Sequence, residues 1–274
     1  MLLLVAQLIS FASLRFMFNL TPTVRILLFI NIGVFLLATQ LGLGWLALYP
    51  VGSQSFQPWQ FLTYMFMHGG LGHIFGNMFG LISFGPLLEQ RWGPQRFLTF
   101  WLICGIGAGI LYSGVRFYEL NKMNEARLAF QQEPSGVAFA DFFRDNAPEA
   151  RGFEVVAAAL QRNPDDAGLI ASANETIDAI FSRSFNSPMV GASGALFGIL
   201  FAFAYLFPNT ELMLLFFPFP IKAKYFVALY GIYELYAGFK RVPGDNVAHF
   251  AHLGGILIGF ILLKLWERNR TRMY

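Results

Sequence analysis

Three short stretches of the chain carry side chains able to do covalent chemistry. They are His68-Gly69-Gly70-Leu71-Gly72-His73-Ile74-Phe75-Gly76-Asn77, Val190-Gly191-Ala192-Ser193-Gly194-Ala195-Leu196-Phe197-Gly198 and His249-Phe250-Ala251-His252-Leu253-Gly254-Gly255. Each stands at the opening of an apolar run. A serine hydroxyl is a weak nucleophile until a base accepts its proton. His252 is the candidate base, and later the acid that protonates a leaving amine. His73 and Asn77 are four residues apart and share a helix face. Together with the amide of Ser193 they could supply donors to the oxyanion of a tetrahedral intermediate. Gly191 and Gly194 have no Cβ, so backbone or substrate can approach Ser193 closely. His68 stands just before the second run, with a loop-lining or water-holding role expected. His249, one turn before His252, is expected to pack behind it.

These residues need elements that bring them together. Gly194, Gly198 and Ala202 repeat every four positions, and His252, Gly255 and Gly259 share a face, so two helices can meet closely through small residues. Phe197 lies one turn beyond Ser193 and can support the His252 ring. No acid stands next to His252 in this reading. Glu234, the only carboxylate inside an apolar run, is expected to pair with Lys240 or Arg241 at the surface. The expected machinery is therefore a Ser193–His252 dyad without a third member.

The composition sets the surroundings. The 274 residues are 56% hydrophobic and 13% charged, with mean hydropathy +0.53, where soluble domains carry ~25% charged residues. That describes an integral membrane protein. Strongly polar residues at membrane depth are costly, which makes each a functional candidate. The net charge of +3 does not point to nucleic acid, because the basic residues sit between and beyond the apolar runs. Cys104 is the only cysteine, which excludes an intramolecular disulfide and a cysteine metal site.

Apolar runs long enough to span ~30 Å of hydrocarbon are read at 26–49, 71–88, 97–115, 188–207, 222–240 and 247–266, with a loop at Pro50–Pro58. The fold class expected is an all-α membrane protein, a bundle of six transmembrane helices. Lys and Arg near span ends favour the cytoplasm, and their distribution puts both termini inside. The organisation is a cytoplasmic or interfacial segment 1–25 (residues 1–14 being apolar but short for a span), spans 1–3 over 26–115, an insertion over 116–187, spans 4–6 over 188–266 and a cytoplasmic tail 267–274. The insertion carries seven basic and eleven acidic residues, net −4, and is expected to be helical and extracytoplasmic. Spans 2, 4 and 6 run from outside to inside, so His73, Asn77, Ser193 and His252 share a depth just below the outer surface.

Gly191-Ala192-Ser193-Gly194, with His73-x3-Asn77 before it and Ala251-His252-Leu253-Gly254-Gly255 after it, resembles the rhomboid family of intramembrane serine proteases. The resemblance covers the six spans but not residues 1–14 or the insertion. It implies a compact bundle with a water-filled active site and cleavage of transmembrane protein substrates near their outer ends. It implies Ser193 as nucleophile, His252 as base, His73 and Asn77 at the oxyanion positions, and a family histidine at His68. No cofactor or metal is implied. The partners are transmembrane substrates and the lipid bilayer. The bacterial inner membrane is the expected location, and the oligomeric state is left open. Trp59-Gln60 stands where many members have Trp-Arg, and Phe197 where many have Tyr. Two other classes compete: a polytopic haem- or metal-binding protein using the histidines, and a transporter. Neither accounts for the Gly-Ala-Ser-Gly stretch.

Overall fold

The computed structural model describes residues 20–214, 217–240 and 247–270. The expectations for residues 1–14, for Arg241 and for the last four residues lie outside them. Helix α1 is Pro22–Ala38, α2 is the short Gln60–Thr63, α3 is Leu71–Trp92 and α4 is Pro94–Gln132. Helices α5 (Gly136–Asn146), α6 (Phe153–Arg162) and α7 (Ala167–Phe185) follow, then α8 (Ser193–Leu206). An antiparallel hairpin, β1 (Glu211–Leu214) and β2 (Phe217–Lys222), leads to α9 (Ala223–Lys240) and α10 (His249–Arg270). Among the described residues, α3, α4 and residues 249–266 of α10 are long and apolar enough to cross a membrane, while α1 and α8 are shorter apolar helices.

Several boundaries differ from the expected spans. Helix α1 stops at Ala38 although the sequence stays apolar to Tyr49. Gly42, in the left-handed region at φ 61°, breaks the run, and only a 3₁₀ turn at Leu43–Leu46 follows. Residues 188–192 are not helical: Met189 is bridged to Leu48, Gly191 takes a positive φ, and α8 begins only at Ser193. The hairpin between α8 and α9 was not anticipated. Its mixture of apolar residues and prolines (Phe217-Pro218-Phe219-Pro220) has no helical period to read.

α8 is the central element. All its residues from Gly194 to Leu200 are buried, as expected of a helix apolar on every side. It packs against α10, α4, α3 and α9. Large side chains such as Ile26, Phe75, Phe79, Leu229 and Ile232 are exposed on the outside of the bundle, where a bilayer supplies the apolar surroundings. α3 gives way to α4 at Gly93 (φ 82°), followed at once by Pro94, glycine ending one helix and proline beginning the next.

α4 holds 39 residues and is about 58 Å long at 1.5 Å per residue. It therefore runs well past the ~30 Å hydrocarbon layer and enters the insertion without a break. There α5, α6 and α7 close around a separate core of Phe130, Phe139, Phe142, Phe143, Leu160 and Ile177. Ser135 caps α5 through Ala138 N (3.1 Å) and Asp166 caps α7 through Gly168 N and Leu169 N (2.9 and 3.0 Å). Arg127 ties α4 to α7 through Asp178, 2.9 Å.

Two polar side chains hold the periphery. Gln60, fully buried, knots the first loop with four bonds. Its Oε1 accepts from Tyr49 N and Gln57 N (3.2 and 3.1 Å), and its Nε2 donates to the Trp45 and Ser55 carbonyls (2.9 Å each). Neutral bonds thus fasten the loop at the position where Gln60 stands in place of the arginine of many rhomboid members. Glu89, near the end of α3, accepts from the amides of Thr23 and Val24 at 2.8 and 2.9 Å. These are first-turn amides of α1 that have no partner within their helix, and the carboxylate also meets the positive end of the helix dipole. Glu89→Gln keeps the shape but replaces one acceptor oxygen with a donor. It is expected to destabilise the protein by ~1–3 kcal/mol, read as a lower thermal midpoint; an unchanged midpoint would remove Glu89 as the anchor of α1.

Candidate active site

The approach to Ser193 is built in three steps. Met189 exchanges both backbone bonds with Leu48, 2.9 and 2.8 Å. The Gly191 amide then donates to the Tyr64 carbonyl at 3.0 Å. Gly191 itself sits at φ 128°, a conformation open to glycine, and the chain turns sharply so that α8 begins at Ser193. A Cβ at Gly191 would lie 2.7 Å from His73 Nε2 and 3.7 Å from Ser193 Oγ. The missing side chain is the gap across which these two groups face each other. The first amides of α8 have no partner inside the helix and carry its positive dipole end.

α10 supplies the imidazole. His252 Nε2 is 2.8 Å from Ser193 Oγ. The approach depends on glycine: a Cβ at Gly255 would collide with the Gly194 carbonyl, and one at Gly259 would lie 3.1 Å from Gly198 Cα. Phe197 stacks on the His252 ring with centroids 4.1 Å apart and planes 10° from parallel. Tyr230 of α9 also packs on Phe197, with ring centroids 4.9 Å apart.

The expectation for Glu234 is overturned. It is 1% exposed and does not reach the surface. Its Oε2 lies 2.9 Å from His252 Nδ1 and 2.6 Å from His249 Nδ1. His252 therefore does have a carboxylate neighbour, and His249 shares it. The sequence held the signal. Glu234 is near the end of α9 and His249 begins α10, so a short connection keeps both at one depth. A lone carboxylate in an apolar helix is a functional candidate by default. The surface pairing was the wrong resolution of that cost.

On α3, His73 Nδ1 accepts from the Gly69 amide at 3.3 Å. An accepting Nδ1 places the proton of the neutral ring on Nε2, the atom that faces Gly191. Asn77 is buried, and its Nδ2 donates to the His73 carbonyl at 3.1 Å. The amide donor is thus engaged within its own helix, one turn from His73. The rings of His68 and His73 meet edge to face at 5.1 Å. Both ring nitrogens of His68 are buried without a hydrogen-bond partner among the described residues.

Glu234, His249 and His252 offer ligand atoms within 4.8 Å of one another, close enough to hold an ion. Two nitrogens sharing one oxygen at 2.6 and 2.9 Å, however, is the spacing of two N–H donors on a carboxylate. His252 Nε2 faces Ser193 in the same arrangement, which ligation alone does not call for.

Serine, imidazole and carboxylate thus stand in one line within a bundle of apolar helices, the class of a helical membrane protein. The family is settled by comparison. The model of the rhomboid domain matches residues 55–121 and 168–268, and the chain belongs to the rhomboid family. The unmatched residues 122–167 fall within the helical insertion. The chain is similar to an uncharacterized mitochondrial rhomboid protein of Schizosaccharomyces pombe, 28% identical over 77% of this chain and 52% of that protein. It is also similar to the mitochondrial RHOMBOID-like protein 12 of Arabidopsis thaliana, 25% identical over 77% of this chain and 47% of that protein. The chain thus spans about half the length of these curated relatives. A shorter match, 37% identical over 24% of this chain and 17% of the relative, is to the Inactive RHOMBOID-like protein 8 of Arabidopsis thaliana. These relatives are eukaryotic and the first two mitochondrial, which gives the expected bacterial type no support; integral membrane residence stands.

The glycine contact between α8 and α10 sets the Ser193–His252 distance. Gly255→Val is expected to slow modification of Ser193 by a serine-reactive fluorophosphonate roughly 10²-fold, since ~1 Å of misplacement has that effect. A wild-type rate in variant protein of native helix content would show that the contact does not assemble the site.

Proposed function

We propose that the chain is a serine endopeptidase that cleaves transmembrane protein substrates within the bilayer, near its outer face. The observation that carries this is the 2.8 Å approach of His252 Nε2 to Ser193 Oγ. Family membership alone does not suffice, since one relative is named inactive. In the reaction, His252 Nε2 takes the hydroxyl proton as Oγ attacks the substrate carbonyl. The resulting oxyanion meets the Ser193 amide and His73 Nε2–H, with Asn77 free to join by releasing its bond inside α3; donors of this kind tighten once substrate is bound. The peptide C–N bond breaks as His252 gives its proton to the leaving nitrogen. Water, activated by the same ring, then hydrolyses the ester and restores Ser193.

Phe197 supports the ring, while Gly255 and Gly259 hold its helix in place. The absence of a side chain at Gly191 leaves room for the carbonyl. His68, whose ring meets His73 edge to face, stands beside this oxyanion site.

Ser193→Ala is expected to abolish both cleavage of a model transmembrane substrate and fluorophosphonate labelling, with the protein still inserted. Undiminished cleavage would remove Ser193 from the mechanism. The side of the membrane follows from the Lys and Arg distribution, with the insertion outside and the end of α10 inside. Cysteines introduced at Asp165 and Arg270 should react with an impermeant reagent from opposite sides. Reaction of both from one side would end the six-span arrangement and the assignment of cleavage to the outer face.

A further inference from the structure

We infer that Glu234 is a positioning residue for His252 and that His249 holds Glu234 in place, so that the reacting pair stands at one end of a hydrogen-bonded line of four side chains, Ser193–His252–Glu234–His249. The inference rests on the reading of Ser193 and His252 as the reacting pair.

Packing alone does not orient the ring. Stacking on Phe197 at 4.1 Å and 10° fixes the plane of the imidazole but not its rotation within that plane. A ring turned over would present a carbon to Ser193. The 2.9 Å contact between Nδ1 and Glu234 Oε2 removes that freedom. It also fixes the tautomer: a carboxylate oxygen accepts, so Nδ1 carries the proton and Nε2 is bare to receive the one from Ser193. When Nε2 is protonated, the ring bears a positive charge among apolar helices. An uncompensated charge there is costly, and the adjacent carboxylate offsets it in the way the acid of a serine-protease triad does.

The carboxylate in turn must not move. Its oxygen accepts a second, shorter bond of 2.6 Å from His249 Nδ1. Glu234, His249 and His252 are each less than a tenth exposed. A Cβ on Gly238, one turn after Glu234, would lie 3.3 Å from His249 Cβ, so the end of α9 is held against the start of α10. The group is a hydrogen-bonded unit delivered by two helices, with His252 Nε2 aimed at the nucleophile.

The experiment separates positioning from simple helix adhesion. Fluorophosphonate labelling of the full chain in detergent gives two readings: the final amplitude counts folded sites, and the rate reports activation of Ser193 without substrate docking. Glu234→Gln is expected to leave the amplitude intact and to slow labelling by 10² or more, within the roughly 10²–10⁴ range of a general base. kcat should fall in parallel while KM stays within about threefold, as for an interaction made in the transition state. An unchanged rate, or a reduced amplitude with an unchanged rate on the surviving fraction, would show that Glu234 only holds helices together. Should Glu234→Gln give no folded protein, the His249 variants decide. His249→Asn keeps a donor near the Nδ1 position and is expected to label faster than His249→Leu by tenfold or more. Equal rates for the two would overturn the role. If the wild-type chain takes no label at Ser193, the protease reading itself fails; if it labels and Glu234→Gln labels as fast, only the positioning role falls.

Discussion

The contact between α8 and α10 through Gly194, Gly198, Gly255 and Gly259 is the constraint on which the rest depends. In lipid, apolar side chains gain little by leaving the bilayer for a helix interface, so association relies on close packing and hydrogen bonds. Here backbone meets backbone: Gly255 leaves no space for a Cβ beside the Gly194 carbonyl, and Gly198 sits against both Gly255 O and Cys104. That closeness carries His252 to Ser193. It also explains why α8 is buried on every side, since a thin helix can be surrounded by α3, α4, α9 and α10.

Three buried polar side chains, one at the site and two at the periphery, are each held by more than one bond. Glu234 has two imidazoles, Gln60 has four backbone partners and Glu89 has two helix amides. All three side chains are buried. A membrane protein cannot hide such groups behind water, so each is satisfied within the protein. Ser193, His252, His249 and Glu234 meet where α8 and α10 begin, while Glu89 joins the other end of α3 to the start of α1.

Much of this was legible beforehand, for a physical reason. Residues that act together on helices entering from one side appear near the start of their runs. Ser193, His73 and His252 could therefore be placed at a common depth without knowing any contact. The stacking of Phe197 followed from its spacing to Ser193. Glu234 was assigned to basic neighbours near the end of its own run because nothing in the sequence shows that it faces across to the start of α10. The end of α1 at Ala38 was obscured by hydrophobicity that continued past a glycine break. The β-hairpin carried no period at all. The full length of α4 was hidden because its apolar half and its charged half look like two elements, although the backbone needs no interruption to leave a membrane.

Gln60 has a consequence for how the first loop behaves in different surroundings. A loop fastened by an arginine–carboxylate pair loosens as ions screen the charges, and again when the acid is protonated. The Gln60 knot has no charge to screen and no proton to gain. The first loop keeps its fastening across changes of ionic strength and acidity, so that any response of this protein to those variables arises among its histidines and carboxylates rather than in the Gln60 knot.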